Sequence, residues 1–170
     1  MFEKGKHFIN KDVMLKNLLE LKAIYEKNEI PFFLIFGTLL GAVREKDFIS
    51  YDNDVDLACL WEDRDKILAL NPQFEALGYT IETHISDYDI NYIKDGEKIE
   101  VWLFEDMSDV RLYDKKRCNN IKYLKEYFEK TELVDLRGKS FPAPSNPRKF
   151  LEVTYGSTWV IPKTKGSYIL

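Results

Sequence analysis

Two aspartates separated by one residue are the strongest chemical signal in this sequence. Asp54 and Asp56 flank Val55 at the start of an apolar run that continues to Leu60. Because side chains alternate across a strand, both carboxylates point to one side while Val55 and Leu57 point into the core. Carboxylate oxygens are the ligands that Mg²⁺ prefers, and the ion is usually held by one or two of them together with substrate phosphates. The pair therefore predicts a divalent-cation site used in phosphoryl transfer.

A predicted phosphate-binding stretch precedes the two aspartates. Gly37 and Thr38 follow a short apolar run over residues 32–36. We expect Gly37 to let the backbone approach a phosphate closely, and Thr38 to cap a short helix that ends at Val43. The helix start and the Thr38 hydroxyl then offer N–H and O–H donors to the phosphate. Arg44, which comes next, supplies a fork-shaped cation that can bind phosphate oxygens.

The residues around this stretch leave alternatives open. Arg44 is either a phosphate ligand or a partner in a surface salt bridge. Asp52 either caps and orients the loop or takes part in metal binding, and Tyr51 either stacks on a nucleobase or packs against the core. An EF-hand is excluded, because Leu57 stands where that loop needs glycine and Asp63 stands where it needs a bidentate glutamate.

Helical and strand patterns alternate along the chain, without internal repeats. Apolar residues recur at helical spacing within residues 12–28, and an unbroken apolar run such as 32–36 is typical of a strand covered on both faces. Asp95 and Gly96 form a strong hairpin-turn signal between two alternating segments. The predicted helices cover residues 12–28, 38–43, 62–70, 73–77 after an interruption at Asn71 and Pro72, 119–130, and a last helix that starts at Asn146 and Pro147 and stops at Gly156; the predicted strands cover 32–36, 54–60, 79–85, 88–94 and 98–104.

The composition is that of an ordinary globular protein. At 170 residues the chain is expected to form one domain over residues 1–170, with a core at about 12–105 and a helical and loop extension at about 106–170. The net charge of −4 and the pI near 5.3 argue against a nucleic-acid partner, which needs a basic stripe. No apolar run approaches the roughly 18 residues of a membrane span. Two cysteines, Cys59 and Cys118, suit a reducing compartment, so we expect a cytoplasmic protein.

The sequence resembles the LicD family, which belongs with fukutin-type proteins in the nucleotidyltransferase-fold superfamily. The resemblance is carried first by the block Gly-Thr-Leu-Leu-Gly-Ala-Val-Arg at residues 37–44, followed by aspartates at positions 52, 54 and 56. Asn53 stands where the family often has another aspartate. Further parts of the resemblance lie at residues 99–103, 141–144 and 151–156.

This resemblance implies a fold and an activity. The implied fold is α/β (α+β), nucleotidyltransferase-like, with a short mixed sheet flanked by helices. Family members transfer a substituted phosphate, such as phosphocholine or a polyol phosphate, from a CDP-linked donor to a sugar or glycan hydroxyl. Asp54, Asp56 and Glu100 would hold Mg²⁺ or Mn²⁺, and Glu100 would complete the site or take the proton from the attacking hydroxyl. Gly37, Thr38, Arg44, Tyr51 and Asp52 are the expected substrate-binding residues.

Two other functions use the same residues. One is a nucleotidyltransferase that moves NMP from an NTP to a small molecule or protein, and the other is a non-catalytic nucleotide-binding module. Glu100 also has two alternatives, because it can be an ordinary edge-strand acid beside Lys98 while Glu105 takes the catalytic role. Trp61 and Trp159 either line a base or choline pocket or simply pack.

Overall fold

A computed structural model describes residues 8–83, 88–104, 110–111, 122–123 and 126–162. The α-helices within these ranges are α1 (Lys11–Lys27), α2 (Phe36–Glu45), α3 (Arg64–Ala69), α4 (Asn71–Ala76), α5 (Glu126–Glu129) and α6 (Pro147–Tyr155), and a 3₁₀ turn (Trp61–Asp63) precedes α3. The strands are β1 (Phe32–Leu34), β2 (Val55–Leu60), β3 (Thr80–Thr83), β4 (Asp89–Lys94), β5 (Glu97–Phe104), β6 (Val110–Arg111), β7 (Lys122–Tyr123), β8 (Thr131–Leu136) and β9 (Lys139–Pro144).

The main sheet is mixed and runs in the order β1-β2-β5-β4-β3. Strands β2 and β5 pair in parallel, whereas the other neighbours pair antiparallel. The predicted alternation in β2 is confirmed, since Val55 and Leu57 are both fully buried. Strand β5 lies in the middle of the sheet, between β2 and β4, so side chains of both neighbours flank those of β5 on each face. The mixed sheet flanked by helices confirms the predicted fold class.

Helix α1 covers the apolar face of this sheet. Asn10 caps it by accepting a hydrogen bond from Val13 N–H at 3.4 Å, as residues of this type do at helix starts. The buried stripe predicted from helical spacing is confirmed. On β4, the Lys94 carbonyl accepts a hydrogen bond from Asn17 Nδ2 at 3.0 Å, which joins the helix to the sheet. The stripe is made of Met14, Leu18, Leu21 and Tyr25.

The start of α2 differs from the prediction. The apolar run 32–36 divides into the short strand β1 and the first helical residue, Phe36. Ile35 precedes the helix without a side-chain cap, so the expected capping role of Thr38 is wrong. Gly37 lies inside the helix, whereas Phe36 has the left-handed backbone (φ +47°) that makes the turn. A bulky residue in this region is strained by about 1–3 kcal/mol, and such strain is concentrated at functional sites.

Two other local predictions need correction. Asn71 and Pro72 begin α4 rather than interrupting the chain, because proline fits the first helical turn, where its missing N–H costs no hydrogen bond. The helix predicted over residues 119–130 is wrong at Lys122–Tyr123, which form strand β7. The short helix α5 lies within the predicted range. Residues 84–85 of the third predicted strand lie outside the described part of the chain.

The C-terminal region contains a hairpin that the sequence patterns did not predict. Strands β8 and β9 pair around a turn at Arg137 and Gly138, which have φ of +54° and +74°. The region adds to the same apolar core, since the rings of Phe33 and Phe128 lie 5.3 Å apart. Helix α6 confirms its predicted bounds, with Asn146 as cap and Gly156 at its end. The division of the chain into one domain with an extension stays a prediction.

No helix in the described ranges is long and apolar enough to cross a membrane.

Candidate active site

The candidate site is formed by side chains that project from one face of the paired parallel strands β2 and β5. Asp56 and Glu100 are direct register partners. Asp54 comes two residues before Asp56, and Lys98 comes two residues before Glu100, so these two side chains emerge on the same face one rung earlier. Trp102 occupies the following rung on β5. A row of acidic, basic and indole side chains therefore crosses one face of the sheet.

Two acids side by side make Asp56 electrostatically unusual. Burial raises the pKa of the Asp56 carboxyl well above its ordinary value, and the negative charges of Asp54 and Glu100 raise this pKa further. The indole N–H of Trp102 donates to Asp56 Oδ1 at 3.1 Å, and this hydrogen bond opposes the increase. The site thus concentrates negative charge where a cation would be stabilised.

Lys98 partly neutralises this charge. Its Nζ lies 3.0 Å from Asp54 Oδ2 and 3.1 Å from Glu100 Oε2, so one ammonium bridges two carboxylates. Burial of the ammonium lowers the pKa of Lys98, but the charges of Asp54 and Glu100 outweigh this effect and the pKa is raised. Glu100 is 5% exposed, so the Lys98 ammonium, more than solvent, contacts its carboxylate.

The backbone of Asp56 is held by the first turn of α2 and by Ile35, the residue that precedes this helix. Thr38 Oγ1 accepts a hydrogen bond from Asp56 N–H at 2.9 Å, and Asp56 C=O accepts one from Ile35 N–H at 3.2 Å. Thr38 is 2% exposed. The residue that was expected to donate to a phosphate therefore anchors the start of β2. Its role toward a substrate stays a prediction.

Close packing explains the two glycines of α2. A Cβ at Gly37 would lie 2.5 Å from Asp52 Oδ2, and a Cβ at Gly41 would lie 2.4 Å from the Asp47 carbonyl oxygen. The glycines are one helical turn apart, so they leave a flat face against which the loop before β2 rests. This arrangement brings the Asp52 carboxylate to the N-terminal turn of α2, where a negative charge is favourable. Whether Asp52 orients the loop or takes part in metal binding stays a prediction.

Arg44 contacts the segment after α6, and Tyr51 packs against the core. Arg44 Nε donates to Glu45 Oε1 at 3.0 Å, and its Nη1 donates to the Trp159 carbonyl at 3.5 Å. The contact with Trp159 joins the end of α2 to the segment after α6. Tyr51 is partly buried and packs against the core. The substrate-binding roles of both residues stay predictions.

The residues that contact the acids, Lys98 and Trp102, were not among the predicted site residues. Lys98 and Trp102 lie on the polar side of β5, and the signal for them was the alternation with the buried Ile99, Val101 and Leu103. The alternative that Glu100 is an ordinary acid on an edge strand is wrong, because β5 is the central strand of the main sheet. The rival Glu105 lies outside the described residues.

The aromatic candidates also have described partners. Trp61 contacts Tyr88 with ring centroids 4.8 Å apart, and Arg64 lies over the Trp61 ring at 5.3 Å. Trp159 is 6% exposed and carries Arg148 over its ring. For Trp159, burial favours the packing interpretation over a binding pocket.

The donor chemistry of the site suits a hard divalent cation, but the arrangement is that of a lysine-bridged cluster. Asp54, Asp56 and Glu100 supply carboxylate oxygens on one sheet face, which is the ligand type that Mg²⁺ and Mn²⁺ prefer. Within the described ranges, no three acidic, histidine or cysteine side chains are grouped as a metal site. The ammonium of Lys98 takes oxygens of two of the three acids. A divalent ion would therefore need Lys98 to move.

Solved structures with a similar fold are nucleotidyltransferases. The lincosamide antibiotic adenylyltransferase LnuA matches with a TM-score of 0.55 at 14% identity, covering 80% of this chain and 83% of that one. The structure of ANT(2")-Ia in complex with adenylyl-2"-tobramycin matches with a TM-score of 0.55 at 14% identity, covering 88% of this chain and 79% of that one. At these identities the likeness shows the fold alone, and it confirms the predicted nucleotidyltransferase-like fold.

Sequence relatives extend over much of the chain. Ribitol-5-phosphate transferase FKTN of Homo sapiens is 31% identical over 156 residues, which is 86% of this chain and 33% of that protein. An uncharacterized protein of Rickettsia typhi (strain ATCC VR-144 / Wilmington) is 32% identical over 119 residues, which is 68% of this chain and 35% of that protein. The chain thus spans about a third of the length of these curated relatives. The family model described as LicD/FKTN/FKRP, nucleotidyltransferase domain, matches residues 29–146. Because this match covers more than half of the chain, the protein belongs to the LicD/FKTN/FKRP nucleotidyltransferase-domain family.

Proposed function

We propose that this protein is a transferase that moves a substituted phosphate, of the phosphocholine or polyol-phosphate type, from a CDP-linked donor to a glycan hydroxyl. Membership of the family and the similarity to a protein named ribitol-5-phosphate transferase support phosphate-group transfer to a glycan. The observation that carries the proposal is the direct pairing of Asp56 with Glu100, with Asp54 linked to Glu100 by the Lys98 ammonium. Crowded carboxylates, among them one whose pKa is raised as that of Asp56 is, are a recurring feature of functional sites.

In this proposal Asp54, Asp56 and Glu100 hold Mg²⁺ or Mn²⁺. The ion, when bound, would neutralise charge on the phosphate oxygens and on the leaving nucleotide. Asp56 is suited to a ligand role because its backbone is fixed by Thr38 and its carboxylate is oriented by Trp102. Such outer contacts hold a ligand in one orientation and tune its charge.

Glu100 is the residue proposed to accept the proton of the attacking hydroxyl. It is almost fully buried and lies beside Asp56 on the paired strand. A carboxylate that can accept a proton from the acceptor hydroxyl makes the oxygen a better nucleophile toward phosphorus. The product would be a glycan phosphodiester, and CMP would leave.

The remaining residues are proposed to bind the donor phosphates. The N-terminal turn of α2, with Gly37 and Thr38, offers backbone N–H groups of a ten-residue helix. Asp52 lies against Gly37, which favours a role in orienting this turn over direct phosphate contact. Arg44, in the last turn of α2, and Tyr51, in the loop before β2, remain proposed contacts to the donor.

The identity of the small product tests this proposal. The full chain is incubated with Mg²⁺, a glycan acceptor and a panel of CDP-linked polyol phosphates and CDP-choline, and the products are separated by liquid chromatography and mass spectrometry. We expect CMP together with an acceptor whose mass has increased by the substituted phosphate, and we expect neither with Glu100→Gln. Release of pyrophosphate from an NTP with no CMP from any CDP-linked donor would instead favour the NMP-transferring alternative.

A non-catalytic module is distinguished by the same assay together with binding. If CDP binds and no donor is turned over, the non-catalytic nucleotide-binding module is favoured.

Cytoplasmic location stays a proposal that rests on the small number of cysteines, of which Cys59 is buried and free.

A further inference from the structure

We propose that Lys98 is the internal counter-cation of the site: its ammonium bridges two of the proposed metal ligands, Asp54 and Glu100, and is displaced from them when a divalent ion binds. This inference rests on the proposed metal-dependent function. In this view, Lys98 sets how tightly the site binds metal.

The geometry singles out Lys98 among the lysines of the sheet. Its Nζ lies 3.0 Å from Asp54 Oδ2 and 3.1 Å from Glu100 Oε2, so it bridges side chains that come from two different strands. Lys94, by comparison, pairs with the single carboxylate of Glu20 at 2.6 Å. Only the bridging arrangement holds two proposed metal ligands at a fixed separation.

A divalent ion and this ammonium compete for the same oxygens. Mg²⁺ binds carboxylate oxygens at about 2.0–2.1 Å, which is much closer than an ammonium nitrogen can approach. An ion placed on Asp54 and Glu100 at that distance would lie within a few ångströms of the Lys98 charge, and the two positive charges would repel strongly. One of them has to leave, and the doubly charged ion is the one that gains more from the acids.

Lys98 is able to leave. Its side chain is 28% exposed, so its four-carbon stem has a route to solvent, whereas the Glu100 side chain is 7% exposed and stays in place. The contacts of Thr38 and Trp102 are made to Asp56 and are not disturbed by this movement. The exchange therefore changes one side chain and leaves the ligand positions unchanged.

A direct test measures Mn²⁺ binding to the nucleotide-free full chain, by calorimetry and by the loss of the free-ion electron paramagnetic resonance signal. We expect Lys98→Met to bind Mn²⁺ more tightly than the wild type by roughly ten- to hundredfold, the range in which outer residues tune metal affinity. Lys98→Arg keeps the charge and should keep the wild-type affinity within a few-fold. Lys94→Met removes a matched, acid-paired lysine and should leave the affinity unchanged.

A measurement on the wild type does not depend on a variant that folds. In lysine side-chain nitrogen–proton spectra, the Lys98 ammonium protons should exchange slowly without metal and quickly after Mg²⁺ is added. Equal or weaker Mn²⁺ binding by Lys98→Met, or an ammonium signal that ignores Mg²⁺, would overturn the inference. If the wild type releases CMP but Lys98→Met gains no affinity, only the Lys98 inference fails. If Lys98→Met gains affinity but no donor is turned over, the transferase proposal fails and the Lys98 inference stands.

Discussion

Asp56 and Glu100 are paired side by side on parallel strands, so two acids share one rung of the central ladder. Like charges in neighbouring strand positions destabilise a sheet. Two contacts from the adjacent rungs compensate for this: the Lys98 ammonium reaches Glu100, and the Trp102 indole N–H reaches Asp56. The arrangement keeps a costly charge pair in place, and each part of it leads to a measurable expectation.

Asp56→Asn should remove this repulsion and also remove activity. The raised pKa of Asp56 means that the folded protein favours the protonated carboxyl, so wild-type stability falls as the pH rises from the ordinary value of 3.8 through the higher pKa of the folded state. Asparagine does not titrate and can still accept the Trp102 hydrogen bond. In urea denaturation without divalent ions, the variant should be more stable than the wild type at neutral pH, and the gain should vanish below the ordinary aspartate pKa. Transfer should fall by roughly 10²–10³-fold.

A lower stability of Asp56→Asn at neutral pH would contradict the charge crowding derived for this rung. The matched control is Asp135→Asn, because Asp135 is an exposed aspartate of the β8–β9 hairpin whose Oδ1 accepts from Gly138 N–H. It should show no comparable gain in stability.

Trp102→Phe separates the hydrogen bond of Trp102 from its packing. Phenylalanine keeps an aromatic ring against Phe36, whose ring lies 6.2 Å from the Trp102 ring at 83°, but it cannot donate to Asp56 Oδ1. We expect the rate of transfer to fall by about 10- to 100-fold, as is typical when a partner of a metal ligand is lost, while unfolding free energy changes by about 1 kcal/mol. Steady-state kinetics and denaturation measure the two effects. An unchanged rate would show that Trp102 only packs.

Gly41→Ala and Gly37→Ala should differ in kind. Alanine normally stabilises a helix interior by roughly 0.5–1 kcal/mol relative to glycine. At position 41 the new methyl would meet the Asp47 backbone carbonyl at 2.4 Å, so we expect a net loss of about 1–3 kcal/mol. At position 37 it would meet the end of the Asp52 side chain at 2.5 Å, which can rotate away, so stability should change little while activity falls. A thermal-denaturation comparison of the two variants tests this. Similar losses of stability would contradict the distinction.

The fold was predictable where local chemistry decides the structure. Hydrophobic spacing identified α1, and the Asp95-Gly96 turn located the β4–β5 hairpin, with φ of +53° and +80° at the two turn residues. The β8–β9 hairpin escaped prediction because Pro142 and Pro144 argue against a strand, and only the pairing with β8 makes that segment extended. Tertiary contacts supplied what the sequence pattern lacked.

The acids of the site could be predicted from the sequence, but the residues that contact these acids could not. Alternation along β2 is enough to put Asp54 and Asp56 on one face. Lys98 and Trp102 depend on the parallel register of β5 against β2, which no local pattern specifies. The close contact between Gly37 and Asp52 could not be predicted for the same reason, because Asp52 is distant along the chain.

Asp47→Asn tests the link between α1, α2 and the β8–β9 turn. Burial of Asp47 raises the pKa of its carboxyl, but this effect is outweighed. Hydrogen bonds from Lys11 Nζ at 2.6 Å and from Phe48 N–H at 2.8 Å lower the pKa, and the nearby Arg137 lowers it further. Its contribution to stability is therefore present above the ordinary value of 3.8 and is lost as the pH falls through the lower pKa of the folded state. Because Asp47 is partly exposed, we expect a loss of at most about 1 kcal/mol at neutral pH.

Denaturation of Asp47→Asn and the wild type across acidic pH checks this expectation. The two curves should converge at the acidic end. A difference in unfolding free energy that stays constant with pH would show that the charge of Asp47 is not what matters.

The central claim is that Asp54, Asp56 and Glu100 form a divalent-cation site for a nucleotide-linked donor, and calorimetric titration of CDP with and without Mg²⁺ tests it most directly. For the wild type we predict binding that is strengthened by Mg²⁺, and for Glu100→Gln a loss of that Mg²⁺-dependent part by about tenfold or more. CDP binding that is the same in both proteins, or that does not respond to Mg²⁺ in the wild type, would contradict the claim.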